Sequence, residues 1–140
     1  MKRRHLLGSV AALALAPLPS RAQTFPDKPI RFVVPYAPGG ATDTSARIAA
    51  EYLTNKFGQQ VLVDNKPGGG TIIATEIVAK AKPDGYTILF AHMGTLAVNI
   101  ALYKTLPYDS QKDFEPIGLG GTNPMVLVAK KGPPAKDFKE

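Results

Sequence analysis

The sequence predicts an α/β fold: an open, mostly parallel sheet flanked by helices. Three observations lead there. Short runs of β-branched and apolar residues alternate with stretches of helical periodicity. Their order and spacing suit right-handed βαβ units. The strands also end in glycine-rich segments, "PYAPGGATD", "DNKPGGG" and "AHMGT", and open α/β sheets bind ligands outside the carboxyl ends of their strands.

The first residues stand apart from the fold. Lys2, Arg3 and Arg4 form a positive head, followed by the apolar run "LLGSVAALALAPL" and then "PSRAQ". Ser20 and Ala22 occupy the small-residue positions of a signal-peptidase site, so residues 1–22 read as a signal peptide cleaved after Ala22. The apolar run is too short and alanine-rich to span a bilayer comfortably. Arg3-Arg4 also permits twin-arginine export, with ordinary secretion the simpler expectation. Either route makes the product periplasmic.

Cleavage changes the charge. The segment removes Lys2, Arg3, Arg4 and Arg21 and no acid, so 13 of the 17 basic residues face all 11 acidic ones. The remaining Lys and Arg are scattered without aromatic interleaving, which offers no footprint for nucleic acid. Cysteine is absent, which excludes thiol catalysis, thiolate metal sites and disulfides. The remaining 118 residues suffice for one domain with an ordinary core.

"IRFVVPY" (30–36) reads as a strand buried on both faces. From Asp43 to Phe57, Ala46, Ala49, Leu53 and Phe57 recur at helical spacing, with Gly58 as the stop. "QVLVDN" is a second strand and "KPGGG" (66–70) a turn. Residues 71–82 place Ile73, Ile77 and Ala81 on one helical face before Pro83. "PDGYTILFAH" reads as turn then strand, "TLAVNIALY" as a short helix and "PMVLVAKK" as a later strand.

The Gly39-Gly40 turn and the helix start behind it make a corner whose backbone N–H groups could receive an anion without a lysine. The bland reading is a strand-to-helix turn capped by Thr42 or Asp43. "PGGATDTS" lacks the Gly-Lys-Ser/Thr ending of a phosphate-binding loop and the three-glycine spacing of a dinucleotide turn, and "GLGG" (118–121) is no better. Asp43 favours the helix but opposes an anion, which suits a cap or a contact to a ligand hydroxyl or ammonium. Catalytic equipment is scarce: past the signal there is one histidine, His92, two serines, Ser45 and Ser110, and no GxSxG elbow. No two-histidine metal spacing exists, and no cofactor is expected. Asp109 and Asp113 fall in "YDSQKDFE", read as a solvated loop. His92, at a strand end, either lines a pocket or is structural.

The succession "FPDKPIRFVVPYAPGGATD", "GQQVLVDNKPGGG", "AKPDGYTILFAHMGTLAVNIALYKTLPYDSQKDFEPIG" resembles the receptor family of tripartite tricarboxylate transporters, the Bug-type extracytoplasmic solute-binding proteins. The resemblance covers essentially everything after the signal. It implies a two-lobed, type II periplasmic-binding-protein-like receptor, monomeric when full length, that is no enzyme. Such a receptor captures a small carboxylate and hands it to membrane transporter subunits.

By position, the family's first binding loop matches Tyr36, Pro38, Gly39, Gly40, Ala41, Thr42 and Asp43, with backbone groups around Gly39 to Thr42 holding a carboxylate, partly through water. The second ligand-facing turn matches His92, Gly94, Thr95 and Asn99, and a third edge falls at Thr122 and Asn123. Two departures stand out: Gly70-Thr71 where the family commonly has a further Gly pair, and Ile100 where it has proline. Residues 23–140 then correspond to the first lobe, with "AKDFKE" resembling the opening of the next helix. The expectation is a truncated chain that binds weakly or not at all without its second lobe. Two rival readings are an α/β enzyme fragment whose catalytic residues lie beyond Glu140, and a degenerate remnant that binds nothing.

Overall fold

The computed structural model describes residues 24–122. Strand β1, Ile30–Val34, occupies the centre of a three-stranded parallel sheet in the order β2-β1-β3, with β2 at Val61–Asn65 and β3 at Thr87–Leu89. Ile30 is in register with Val61 and Val34 with Asn65 on one side; Val33 is in register with Leu89 on the other. The alternation of β1 explains why it must be central. Ile30, Phe32 and Val34 face a core completed by Ala46, Ala50 and Val61, while Val33, on the opposite face, is fully buried as well. Each of the valine, isoleucine and phenylalanine side chains contributes about 1.5–3 kcal/mol through removal from water.

Helix α1, Ala41–Phe57, joins β1 to β2 and packs mainly on those two strands. It begins two residues earlier than its periodicity suggests. Neither Thr42 nor Asp43 is the N-cap: Gly40 takes that position with extended backbone (φ −78°, ψ 171°). Asp43 then falls in the third helical position, from which its side chain reaches back to the turn. Ala46 and Ala50 are buried, whereas Phe57, in the last turn, is 39% exposed. Gly58 ends the helix at φ +68°, its N–H bonding Thr54 O at 2.9 Å.

Helix α2, Ile72–Ala79, is shorter than the predicted 71–82 and follows a tight 3₁₀ turn at Gly69–Thr71. Its buried positions are Ala74 and Thr75, not the isoleucine stripe, and Ile73 is 48% exposed. Small residues allow the helix to lie against β3 and β1. Burying Thr75 strands no polar atom, because its hydroxyl donates to Thr71 O at 2.8 Å. After β3 comes a π-helical turn, Gly94–Val98, continuing into a single α-turn, α3, Asn99–Leu102.

The segment "YDSQKDFE" is more ordered than a solvated loop. Tyr108 is buried, with its ring edge-on to Phe114 at 6.0 Å. Asp109 closes a turn by accepting from the Gln111 N–H at 3.0 Å. The "PMVLVAKK" strand, Asn123 and the signal segment lie outside the described residues.

Right-handed crossovers in the order 2-1-3 put α1 and α2 on opposite faces of the sheet, because the chain moves one way from β1 to β2 and the other way to β3. The fold therefore has its topological switch point between β1 and β3, the place at the strands' carboxyl ends where open α/β sheets form a ligand crevice. Tyr36 to Gly40 and Ala91 to Gly94 lie there.

Candidate functional site

The first turn follows β1 directly. Gly39 has φ +88°, which side-chain-bearing residues rarely adopt, so the turn itself demands glycine there. Nothing in the backbone demands it at Gly40, where an added Cβ would meet only Ala37 O at 3.8 Å. A strand-to-helix turn accounts for the first glycine of the pair and leaves the second unexplained. Gly39, Gly40 and Ala41 are exposed and Thr42 half-buried. Among the described residues no acceptor meets the N–H groups of Gly40, Ala41 or Thr42. They are the leading donors of a 17-residue helix, where the positive end of the dipole lies.

Asp43 is buried, and its carboxylate is fully engaged inside the protein. Oδ2 accepts from Gly39 N–H at 2.8 Å and from Arg47 Nε at 3.0 Å; Oδ1 accepts from Asn65 Nδ2 at 2.9 Å. Arg47 also donates to Asn65 Oδ1 at 3.2 Å, and Asn65 Nδ2 to Tyr36 O at 3.0 Å. The Arg47 guanidinium, followed by the Gly39 and Asn65 donors, holds the Asp43 carboxyl at about 2, well below its usual 3.8. This charge is therefore compensated by its own neighbours. Gly39 has its donor occupied, so the N–H groups open to a ligand begin at Gly40. Arg47 and Asn65 were not singled out in the sequence. The i,i+4 spacing of Asp43 and Arg47 was the available signal for one; only the β1–β2 register brings Asn65 there.

The second turn meets the first across the switch point. The His92 ring stacks on Tyr36 with centroids 4.6 Å apart and planes 19° apart. Tyr36 Oη and Thr95 Oγ1 are 3.1 Å apart. Burial raises the Tyr36 phenol above its ordinary value, a rise the Thr95 hydrogen bond partly offsets, so it stays protonated at neutral pH. Gly94 N–H donates to His92 Nδ1 at 3.1 Å. Thr95 is fully buried.

Asn99 is buried too, and its amide nitrogen serves the second glycine turn: Nδ2 lies 2.8 Å from Gly70 O and 3.1 Å from Thr71 Oγ1. Any ligand contact it makes is left to Oδ1. Gly68, Gly69 and Gly70 all have positive φ, and Thr71, at φ +77°, continues the run. That is the position where the sequence departs from a glycine pair. Pro38 is exposed beside the first turn.

The structure thus brings Tyr36, the Gly39–Asp43 turn, His92, Gly94 and Thr95 to one rim, with Asn99 behind it as a strut. Thr122 is exposed and hydrogen-bonded to neither turn among the described residues. Asp109 and Asp113 form a surface turn, in which Asp113 Oδ2 accepts from Asp109 N–H at 2.7 Å. No group of three or more His, Cys, Asp or Glu side chains among the described residues could hold a metal.

Comparison with known proteins decides the family. Residues 45–140 match the model of the tripartite tricarboxylate transporter family receptor, which is more than half of the chain. The chain belongs to this receptor family. Among curated members, a UPF0065 protein of Pseudomonas sp. strain P51 is 46% identical over 129 residues, covering 90% of this chain and 38% of the relative. The protein BugT of Bordetella pertussis is 40% identical over 124 residues, covering 88% and 38%. The chain therefore spans well under half the length of these receptors.

Solved receptors share the fold. The periplasmic binding protein BugD superposes with a TM-score of 0.64 at 46% identity, over 67% of this chain and 31% of that one. MatC from Rhodopseudomonas palustris, solved with bound malate, gives 0.63 at 40% identity, over 66% and 31%. A further R. palustris protein, solved with adipate, gives 0.60 at 38% identity, over 62% and 29%. The α/β sheet described above is thus a periplasmic-binding-protein fold, and the chain's relatives are solute-binding receptors.

Proposed function

We propose that this protein is an extracytoplasmic receptor that captures a small di- or tricarboxylate, or a related organic acid, for membrane transporter subunits. On this reading residues 1–22 are a signal peptide cleaved after Ala22, and residues 23–140 form the first lobe of a two-lobed, periplasmic receptor. The reading is carried by one observation: among the described residues, three successive N–H groups, Gly40, Ala41 and Thr42, meet no acceptor at a helix start beside the β1–β3 switch point. Gly40 lacks the side chain that would shield them, though no backbone constraint requires glycine there. The malate and adipate held by two solved relatives support the ligand class. Tyr36, Pro38, Ala41, His92, Gly94, Thr95 and Asn99 line or brace the rim; a third edge at Thr122 and Asn123 rests on the family resemblance alone.

The corner binds by geometry. A carboxylate on Gly40–Thr42 takes up the helix's unpaired donors, while the Asp43 charge beneath is offset by Arg47. The test is ligand-induced stabilisation. A saturating carboxylate at about 100 times its dissociation constant adds roughly 2.7 kcal/mol. Gly40→Val has room to fold, since only Ala37 O lies near, yet it covers the donors. In a version that carries the second lobe, malate and adipate should stabilise the parent and a Ser110→Ala control, and should not stabilise Gly40→Val. Equal stabilisation of Gly40→Val and parent rules out the corner.

A further inference from the structure

We infer that His92 is a specificity-determining residue. Locked in one tautomer on the rim of the β1–β3 crevice, it presents Nε2–H to ligands that carry an acceptor beyond the carboxylate seated in the glycine corner. The inference rests on the carboxylate reading above and adds a second, chemically distinct recognition point.

The ring is held by two contacts. Gly94 N–H donates to Nδ1 at 3.1 Å. A ring nitrogen that accepts carries no proton, so in the neutral imidazole the proton is on Nε2. Tyr36 covers one face of the ring, and Tyr36 is itself fixed by Thr95 through its hydroxyl. The absence of a side chain at Gly94 lets the ring lie this close: a Cβ there would come 3.0 Å from His92 Cε1 and 3.1 Å from Nδ1. His92 is nonetheless exposed, and among the described residues no acceptor meets its Nε2. Its backbone follows Phe90, whose N–H bonds Val33 O at 2.9 Å, which places it across the switch point from the turn that starts at Tyr36.

An oriented ring donor discriminates by position. A second carboxylate or a hydroxyl on the ligand gains a hydrogen bond, whereas a plain monocarboxylate of equal length gains nothing. A hydrogen bond to a charged acceptor is worth about tenfold or more in affinity. Malate should therefore exceed butyrate by at least that factor through His92.

The experiment uses the 140-residue chain with ¹⁵N-labelled histidine at about pH 8, where free histidine is neutral. Comparison with His92→Phe separates the signals of His5 and His92. The parent should show His92 as the Nε2–H tautomer, and Gly94→Ala should shift it towards a mixture. Millimolar malate should move the Nε2 signal and the Gly40 and Ala41 amides; butyrate should move only the amides. His92→Phe keeps a ring on Tyr36 and should lose about tenfold in malate affinity, with butyrate unaffected. An Nδ1–H or mixed tautomer in the parent overturns the inference, as does an undiminished malate preference in His92→Phe. If neither ligand moves the Gly40 and Ala41 amides of the parent, the carboxylate corner fails, and the tautomer, read without ligand, still decides whether His92 is a held donor.

Discussion

Asp43 Oδ2 lies 2.8 Å from the Gly39 nitrogen, so the protein's own carboxylate takes the first N–H of the turn between β1 and α1. The contact rigidifies the turn and moves the open donors one residue along. Because Asn65 bonds both Asp43 and Tyr36 O, the end of β2 is tied to the same point. The first turn is therefore held by the protein's own groups, a preorganisation that would lower the ordering cost of the binding proposed above.

Acid should expose this arrangement. The Asp43 carboxyl is lowered to about 2 from 3.8. A depressed folded-state value means that the carboxylate's stabilising contribution is complete above about pH 4 and is lost as pH falls towards 2. Asp43→Asn should be less stable than the parent at pH 6, and the gap should close as the pH approaches 2. Urea midpoints across that range measure it, and a gap independent of pH would contradict the assignment.

Thr71 holds φ +77°, a conformation that costs a β-branched residue about 1–3 kcal/mol. Its hydroxyl oxygen in turn lies 3.1 Å from Asn99 Nδ2, a contact worth about 1 kcal/mol. Thr71→Gly, which removes both, should be neutral to slightly stabilising. Thr71→Val keeps the strain and loses the acceptor, so it should destabilise by about 1 kcal/mol or more. Thermal unfolding of the three proteins orders them.

Asn99 bridges α3 to the second glycine turn through Gly70 O and Thr71 Oγ1. Asn99→Ala strands those acceptors and should cost about 1–3 kcal/mol. Asn99→Asp should be worse, since it sets a carboxylate against a carbonyl. Denaturant midpoints would show the order, and an Asn99→Asp variant as stable as the parent would contradict the strut.

Ser110 Oγ is buried without a hydrogen-bond partner among the described residues. Ser110→Ala should leave ligand response unchanged and raise stability by up to about 1 kcal/mol, because it removes an uncompensated polar group. A destabilised Ser110→Ala would point to a water or partner that satisfies the hydroxyl.

Much of the architecture was legible in the residues. The alternation of Ile30, Phe32 and Val34 with Val33 announces a strand covered on both faces, and Gly58 announces a helix end. These are local or period-driven signals, and periodicity survives in a one-dimensional string. The glycine corner was legible for the same reason, since a strand, Gly-Gly and a helix start are contiguous. The family likeness was legible as an ordered set of such motifs.

Tertiary structure decided the rest. Sequence could assign Asp43 to a cap or to a ligand. Only the parallel register of β1 with β2, which sets Val34 opposite Asn65, brings in the amide that completes its cage. The helical period of residues 71–82 marked Ile73 as inward, but the close approach of α2 to β3 and β1 selected Ala74 and Thr75. His92 could have lined a pocket or been structural, and Tyr36 is 56 residues away in the chain. The strand order 2-1-3 makes their loops neighbours, and the missing side chain of Gly94 leaves the ring room to settle. Local propensity fixes what a segment becomes; contacts between segments far apart in sequence depend on register and packing distance, which no single segment encodes.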